Sequence, residues 1–242
     1  MLTLKNICFS AVDENNHQKD ILKNVSLTVD TGSFVVITGP NGGGKSTLSK
    51  IIMGLEPSDS GDLIFDGENI TGLDITQRAR RGIGFAFQQP VRFKGLDVKA
   101  LLQYAAGRSL TTAEACEYLS QVGLCAMDYI NRELNASLSG GEMKRIEIAI
   151  LIARNVKLSI FDEPEAGIDL WSFHNLIEVF QKLRRETNGS IIIISHQERI
   201  LEIADKIVVI ADGVISAQGR REDILPSLLG NPDTCKFYKR EA

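Results

Sequence analysis

The sequence predicts an α/β fold, with a mainly parallel sheet covered by helices and an inserted α-helical subdomain. Strand-type and helix-type segments alternate through the last third of the chain, which is typical of a parallel sheet covered on both faces. Residues 97–130 show a helical pattern between two strand-type segments, and this pattern indicates the insertion. A glycine-rich turn at residues 39–46 links an apolar strand to a helix, a connection that α/β folds use.

The individual elements follow from the spacing of the apolar residues. Before the insertion, the pattern predicts a helix that begins near Lys45 and strands at residues 2–10, 23–29, 34–38, 62–66 and 83–87. After it, residues 142–155 predict a long helix that is nearly all apolar in its second half, so we expect it to be buried. The rest of the chain predicts helices at residues 170–187 and up to Ala204, and strands at 157–161, 190–195 and 207–211.

The composition is that of an ordinary globular domain. Of the 242 residues, 43% are hydrophobic and 24% are charged, which excludes a disordered or coiled-coil chain. The 27 Lys and Arg residues against 31 Asp and Glu residues leave a net charge of −4, so the chain as a whole has no positive field to hold nucleic acid. We therefore expect no nucleic-acid partner.

The distribution of apolar residues and cysteines indicates the compartment. No stretch approaches the roughly 18 apolar residues of a membrane span, and the first residues lack the apolar core of a signal peptide. Four scattered cysteines form no metal-binding pair and are interpreted as thiols in a reducing compartment: Cys8, Cys116, Cys125 and Cys235. These observations predict a cytoplasmic protein without direct membrane insertion.

The glycine-rich turn predicts a phosphate-binding loop. Its sequence fits the pattern G-x-x-x-x-G-K-[ST], and the flanking strand and helix are the context that this pattern requires. Glycines let consecutive backbone N–H groups surround a phosphate, and the helix N-terminus adds positive charge. Lys45 would neutralise the β- and γ-phosphates, and Ser46 would bind Mg²⁺. The predicted ATP-binding residues are Gly39, Pro40, Asn41, Gly42, Gly43, Gly44, Lys45, Ser46 and Thr47.

Two adjacent acids follow the predicted strand at residues 157–161. Ligands of parallel sheets collect at the carboxyl ends of the strands, so Asp162 would face the phosphate loop and hold Mg²⁺. Neighbouring strand residues point to opposite faces, so Glu163 would point differently. Its carboxylate would orient or deprotonate the water that attacks the γ-phosphate.

A serine–glycine motif precedes the long apolar helix. Ser139 and Glu142 fit a helix capping box, although a cap does not require Gly140 and Gly141 between them. Together with the phosphate loop before it and the acidic pair after it, residues 138–142 (LSGGE) resemble the LSGGQ signature of the ATP-binding-cassette (ABC) ATPases.

Further motifs of that family occur in the family's order. The resemblance makes Gln88 the Q-loop glutamine, which touches Mg²⁺ and the attacking water, and His196 the switch histidine beside the γ-phosphate. It places Asp169 in the D-loop and, as the weakest match, Phe9 where an aromatic side chain stacks on adenine. The implied catalytic set is Glu163, His196 and Gln88, and the implied Mg²⁺ ligands are Ser46, Gln88 and Asp162.

The resemblance covers the whole chain and implies its organisation. It implies a P-loop NTPase core of the ABC-ATPase type with an antiparallel β subdomain, in a single domain of residues 1–242. The RecA-like core would comprise about 1–88 and 156–242, and the helical signature subdomain about 89–155. ATP and Mg²⁺ would bind in a transient head-to-tail homodimer, in which the signature of one copy, residues Ser139, Gly140, Gly141 and Glu142, completes the γ-phosphate site of the other.

Three classes of ABC ATPase fit these motifs. Residues 85–91 (FAFQQPV), 139–145 (SGGEMKR) and 162–169 (DEPEAGID) resemble the ATPases of the Suf iron–sulphur assembly system, the SufC and SmsC group, more than transporter subunits. That resemblance implies a scaffold partner of the SufB or SufD type. The second class is the ATP-binding subunit of a membrane transporter. The third, a non-hydrolysing module, is disfavoured because Glu163 and His196 are both present.

Two charged residues of these segments have no role in the family motifs. Glu165 departs from both the transporter pattern and the Suf pattern. Lys144 lies near the N-terminus of the signature helix, and two interpretations are open. It is either an exposed lysine, or a cation that pairs with a carboxylate of the catalytic region and keeps hydrolysis low in the monomer.

Overall fold

The computed structural model describes residues 1–12, 16–89, 91, 93–134, 138–186 and 188–230. Cys235, Pro90 in a Suf-like segment and Thr187 at the predicted end of a helix lie outside these ranges. In chain order the described elements are β1 (Leu2–Val12), β2 (Gln18–Val29), β3 (Phe34–Thr38), α1 (Lys45–Met53), β4 (Ser60–Phe65), β5 (Glu68–Asn69), α2 (Ile75–Arg80), β6 (Ile83–Ala86), α3 (Val98–Ala106), α4 (Thr112–Gln121), α5 (Ala126–Tyr129), α6 (Gly140–Arg154), β7 (Leu158–Asp162), α7 (Leu170–Glu186), β8 (Ser190–Ile194), α8 (Glu198–Glu202), β9 (Lys206–Ala211), β10 (Val214–Arg220) and α9 (Arg221–Leu229).

The larger sheet contains six strands in the order β10-β9-β3-β8-β7-β6. Five of them are parallel, and β10 pairs antiparallel with β9. Every residue of β3, β7 and β8 is buried, because other elements cover both faces of the sheet. The loops that follow these three adjacent strands meet at one edge of the sheet, and they carry the phosphate loop, Glu163 and His196.

A second sheet of four antiparallel strands has the order β2-β1-β4-β5. It packs on the larger sheet through an apolar cluster that also contains α1. Successive residues of β3 alternate between the two faces of the larger sheet, so Val35 and Ile37 belong to this cluster and Phe34 and Val36 to the one opposite. The antiparallel sheet and the mainly parallel sheet confirm the predicted fold class.

The opposite cluster joins the larger sheet to the helices inserted between β6 and β7. Ile146 of α6 and Leu102 of α3 are fully buried in it, and Phe180 of α7 meets Phe161 edge-on with ring centroids 5.1 Å apart. The burial predicted for the long apolar helix is confirmed. Because α6 is buried on several sides, its polar side chains near the N-terminus must find partners inside the protein.

The predicted elements agree with the structure to within a few residues, and β3 agrees completely. The helical segment 97–130 consists of α3, α4 and α5. Four elements are absent from the prediction: β5, α2, β10 and α9. The first two are short, with two and six residues, and β10 exposes every second residue, so none of these three has a long apolar pattern.

Two further expectations concern membranes and thiols. No helix in the described ranges is long and apolar enough to cross a bilayer. Cys8, Cys116 and Cys125 are free thiols, as predicted. In the same ranges, no group of three or more His, Cys, Asp or Glu side chains is arranged to hold a metal ion.

Candidate functional site

The phosphate loop connects β3 to α1 and depends on glycines at two close approaches. Gly39 has φ +131°, and a Cβ there would lie 2.0 Å from the carbonyl oxygen of Ile210. Gly44, with φ +102°, precedes Lys45, and its Cβ would lie 2.7 Å from the Leu22 side chain. Larger residues are therefore excluded at both positions, and the backbone can curve closely around a small anion.

Lys45 is the buried cation of this loop, with 5% of its surface exposed. Its ammonium group donates hydrogen bonds of 2.8 Å to the carbonyl oxygens of Gly39 and Pro40. Burial lowers the pKa of Lys45, while the charges of Glu163 and Asp162 raise it. A cleft of about 300 Å³ opens here, and its lining comprises Lys19, Ile21, Asn41, Gly42, Gly44, Lys45, Ser46, Thr47 and Glu163.

Ser46 and Asp162 meet beside the cleft. Ser46 Oγ donates a hydrogen bond of 3.1 Å to Asp162 Oδ1, although the residues lie on α1 and at the end of β7. Burial raises the pKa of Asp162, and the hydrogen bond from Ser46 lowers it. A hydroxyl and a carboxylate oxygen at the carboxyl edge of a parallel sheet are donors that suit Mg²⁺.

Glu163 has a backbone conformation unlike that of the strand before it. Its φ is +45°, and its N–H donates a 3.0 Å hydrogen bond to Ile194 O, so the chain turns away at this residue. Gln88 Nε2 donates a hydrogen bond to Glu163 Oε2, and His196 Nε2 lies 3.8 Å from Glu163 Oε1. Two side chains from different loops, Gln88 and His196, thus converge on the Glu163 carboxylate.

His196 faces this carboxylate with a buried Nε2 that has no hydrogen-bond partner among the described residues. Burial lowers the pKa of His196, the nearby charge of Lys45 lowers it further, and Glu163 raises it. The lowered pKa favours the neutral imidazole near pH 7, in which one ring nitrogen donates a hydrogen bond and the other accepts one.

The signature segment forms the capping box that its sequence predicts. Ser139 Oγ accepts a 3.2 Å hydrogen bond from the Glu142 N–H, and Glu142 Oε2 accepts one of 2.6 Å from the Ser139 N–H. The two glycines allow a close contact with the first turn of α7 and with the loop before it. A Cβ on Gly141 would lie 2.7 Å from Ser172 Cβ, and one on Gly140 would lie 3.0 Å from Gly167 O.

Asp169 of the predicted D-loop lies next to the signature segment and begins α7. Its Oδ1 accepts hydrogen bonds of 3.0 Å from the N–H groups of Trp171 and Ser172, and its Oδ2 accepts one of 2.7 Å from Ser172 Oγ. Phe9, by contrast, is half-buried against the apolar cluster of the two sheets, and the cleft is lined by Ile21 of β2. Its predicted contact with adenine stays a prediction.

Lys144 is not the exposed residue that one interpretation expected, since only 3% of its surface is accessible. Its ammonium group donates to main-chain carbonyls, at 2.9 Å to Phe87 O and 2.6 Å to Gln88 O. Burial lowers its pKa, and the charges of Glu147, Glu165, Asp162 and Glu163 raise it. The interpretation of Lys144 as an exposed lysine is therefore wrong.

Two half-buried glutamates, each with one inaccessible carboxylate oxygen, were not among the predicted site residues. Glu165 Oε1 accepts a hydrogen bond from Ser195 Oγ, and burial raises the pKa of Glu165. Glu147 Oε1 accepts a 3.2 Å hydrogen bond from the Phe87 N–H. A glutamate between the apolar residues Ile146 and Ile148 of a buried helix is the sequence signal that could have identified Glu147.

Comparison with known proteins decides the family. The family model described as "ABC transporter" matches residues 22–166, a span that includes the phosphate loop, the signature segment and Glu163. The chain belongs to the ABC transporter ATPase family.

Three curated relatives illustrate its range. An uncharacterized ABC transporter ATP-binding protein, MJ0035 of Methanocaldococcus jannaschii, is 37% identical over 92% of this chain and 88% of its own length. The lipopolysaccharide export system ATP-binding protein LptB of Escherichia coli K12 is 33% identical over 85% and 86%. The probable ATP-dependent transporter ycf16 of Cyanophora paradoxa is 35% identical over 84% of each chain.

Solved structures have the same fold. The dimeric post-hydrolysis state of the cassette MJ0796, bound to ADP and Pi, has a TM-score of 0.80 at 26% identity, covering 91% of this chain and 99% of that one. A nucleotide-free cassette from an ABC transporter has a TM-score of 0.81 at 27% identity, covering 100% and 99%. This ABC ATPase cassette thus binds and hydrolyses MgATP and dimerises.

Proposed function

We propose that this ATPase drives iron–sulphur cluster assembly on a scaffold protein of the SufB or SufD type. The observation that carries the proposal is that its three Suf-like segments meet in space. Lys144 of the signature segment donates hydrogen bonds to the carbonyl oxygens of Phe87 and Gln88 in the second segment. Burial lowers the pKa of Lys144, and the charge of Glu165 in the third segment is among those that oppose this change. The three segments that resemble the Suf ATPases therefore contact one another, although Glu165 itself departs from the Suf pattern. The proposed location is the cytoplasm.

In the proposed mechanism, the phosphate loop binds the triphosphate. Backbone N–H groups of residues 41–47 donate to the phosphate oxygens, and the Lys45 ammonium neutralises the β- and γ-phosphates. The close approaches at Gly39 and Gly44 fit this role, because only glycine leaves the loop backbone accessible at such short distances.

The residues beside the loop fit a magnesium ion. Ser46 Oγ and Asp162 Oδ1 are oxygen donors already within hydrogen-bond distance, and Gln88 would add its amide oxygen. The bound metal would neutralise negative charge that develops on the transferred phosphoryl group.

Glu163 is the proposed general base. Its carboxylate orients and deprotonates the attacking water, and Gln88 holds that carboxylate from one side through its Nε2–H. His196, on the other side, keeps a neutral imidazole near pH 7 and donates its N–H to the γ-phosphate. The convergence of Gln88 and His196 on Glu163 supports these roles.

The second copy is proposed to complete the site. Ser139 and Gly140 are exposed at the N-terminus of α6, a helix of 15 residues whose first N–H groups carry partial positive charge. In a head-to-tail dimer they would donate to the γ-phosphate held by the partner copy, with Asp169 beside them. The predicted division into a RecA-like core and a helical subdomain, at about 89–155, remains part of this proposal.

The partner class can be tested with a substrate-trapping variant. Glu163→Gln, tagged and incubated with MgATP, is recovered separately from soluble and detergent-solubilised fractions of the native cell. The expected partner is a soluble protein that assembles an iron–sulphur cluster after reconstitution and raises the ATPase rate of the unmodified chain. Recovery of a polytopic membrane protein with no soluble partner would contradict the proposal.

The second candidate is the ATP-binding subunit of a membrane transporter. The relatedness to the export protein LptB, at 33% identity over 85% of this chain, favours it. Fold, nucleotide site and dimer would be unchanged, and the two candidates differ only in the partner. Stimulation of ATP hydrolysis by a membrane-embedded partner in vesicles, with none by an iron–sulphur scaffold, would support the transporter.

A further inference from the structure

Residues 87 and 88, which follow β6 and are called the Gln88 segment below, contact two ionisable side chains of α6 that the nucleotide chemistry does not use. Lys144 and Glu147 belong to the first half of α6 and are three residues apart, so they lie on the same face of the helix. Only 3% of the Lys144 surface is exposed. Glu147 Oε2 is inaccessible and has no hydrogen-bond partner among the described residues.

The two side chains form hydrogen bonds with the N–H group of Phe87 and with the carbonyl groups of Phe87 and Gln88. Glu147 Oε1 accepts from the Phe87 N–H at 3.2 Å. Lys144 Nζ donates to Phe87 O at 2.9 Å and to Gln88 O at 2.6 Å. The segment follows the edge strand β6, and these three hydrogen bonds to α6 satisfy backbone groups that the sheet does not pair.

This arrangement is costly for stability. Burial raises the pKa of Glu147 to about 7, although the charge of Lys144 opposes the change, and burial lowers the pKa of Lys144. Apolar residues surround both positions on α6, including Met143, Ile146 and Ile148. Because buried charges seldom stabilise a fold more than well-packed apolar side chains would, their presence here indicates a role other than stability.

The contact between the Gln88 side chain and Glu163 identifies that role. The side chain of Gln88 donates to Glu163 Oε2, so the backbone that Lys144 and Glu147 hold carries the residue that orients the proposed general base. We propose that Glu147, together with Lys144, is a positioning residue for hydrolysis: it fixes the backbone at Phe87 and so sets the position of Gln88 relative to Glu163. This inference rests on the proposed role of Gln88.

The test compares Glu147→Ala with Glu147→Gln, which keeps an oxygen that can accept from Phe87. We expect kcat to fall about tenfold in Glu147→Ala, the effect of one lost hydrogen bond, while KM for ATP changes less than twofold. Glu147→Gln should retain kcat to within about threefold. Arg154→Ala is the matched control, because Arg154 also lies on α6 and donates to a main-chain carbonyl, that of Ala79, away from Gln88.

Hydrogen exchange at the Phe87 amide gives a readout that does not depend on activity. The exchange rate should rise at least tenfold in Glu147→Ala and stay unchanged in Arg154→Ala. If Glu147→Ala does not fold, Glu147→Asp, which shortens the side chain by one methylene, should show the same change in exchange and an intermediate kcat.

The outcomes separate this inference from the proposed function. Gln88→Ala tests the role of Gln88 itself, and an unchanged kcat in that variant would overturn the proposed role of Gln88 in hydrolysis. A slow Gln88→Ala enzyme combined with normal kcat and normal Phe87 exchange in Glu147→Ala would overturn the inference alone. An equal loss of kcat in Glu147→Ala and Arg154→Ala would also overturn it, because it would indicate a general effect on the helix.

Discussion

The phosphate loop and the Gln88 segment both follow buried strands of the parallel sheet at the same edge, yet they are stabilised in different ways. The phosphate loop is held mainly by residues close in sequence: Lys45 donates to Gly39 and Pro40, and the Gly43 N–H donates to Pro40 O at 3.2 Å. A longer-range bond, from the Gly213 N–H to Gly43 O at 3.2 Å, adds to these. The Gln88 segment is held by Lys144 and Glu147, which lie 56 to 60 residues further along the chain.

The difference separates nucleotide binding from hydrolysis. A loop that is closed by its own backbone forms wherever its strand and helix form, so binding depends on local sequence. The position of Gln88 depends on how α6 packs, and so a partner that moves α6 can change the hydrolysis rate without weakening ATP binding. Variants that affect either ATP binding or ATP hydrolysis, and leave the other unchanged, test this separation.

Glu163→Gln should give the largest effect, which we expect on ATP hydrolysis and not on ATP binding. Loss of a general base reduces kcat by a factor of about 10² to 10⁴, while the phosphate loop still binds ATP. The measurement is steady-state phosphate release together with ATP affinity by calorimetry. Hydrolysis at the unmodified rate would remove Glu163 from the mechanism.

Lys45→Ala should have the opposite effect, on binding. The charged hydrogen bonds of a buried ammonium group to phosphate make a loss of about 100-fold in ATP affinity the expected result. Thermal unfolding without nucleotide checks that the variant is folded. Unchanged ATP affinity in a folded variant would show that the loop does not bind the triphosphate through this lysine.

Glu147 predicts a smaller effect on stability that depends on pH. The carboxyl group has its ordinary pKa of 4.5 in the unfolded chain and a pKa of about 7 in the folded chain, so the folded chain holds the extra proton between these values. The free energy of unfolding therefore decreases as pH rises from 4.5 to 7, by at most about 3 kcal/mol.

Glu147→Gln cannot titrate and should remove this dependence. Urea unfolding at pH 5 and pH 8 should show that the variant gains stability relative to the unmodified chain at pH 8 and not at pH 5. The same stability difference at both pH values would mean that the Glu147 carboxylate titrates normally.

Trp171 gives the smallest signal, and it reports on dimer formation. It is the single tryptophan of the sequence, is 82% exposed and lies two residues after Asp169. If the partner copy covers this region, MgATP should shift the fluorescence of Glu163→Gln to shorter wavelength in step with the mass measured by light scattering. Trp171→Phe removes the signal and is the control. Dimerisation without a shift would place Trp171 outside the interface.

The same contrast between local and distant contacts explains what the sequence could predict. The phosphate loop, the strand before it and the capping box at Ser139 follow from spacing within a few residues, and the structure contains all three. The meeting of Ser46 with Asp162 follows from the rule that the ends of parallel strands share one edge.

The remaining features depend on packing between distant elements. The burial of Lys144 was open to two interpretations, because nothing in its neighbourhood shows that α6 packs against the Gln88 segment. The left-handed backbone at Glu163, with φ +45°, is imposed by the turn out of β7 and has no residue-type signal such as glycine. Strand β10 was missed because it alternates exposed residues along the edge of the sheet.

The length of α6 has a consequence for how two copies act together. Its first residue neighbours Ser139, and Glu147 lies about two turns later on the same straight helix. In a head-to-tail pair, the N-terminus of each α6 would meet the triphosphate bound by the other copy. Glu147 of the same helix would fix the position of Gln88 in its own active site. The rate of ATP hydrolysis in each copy would then depend on whether ATP is bound to the other copy. The dependence of the rate on ATP concentration would be sigmoidal rather than hyperbolic.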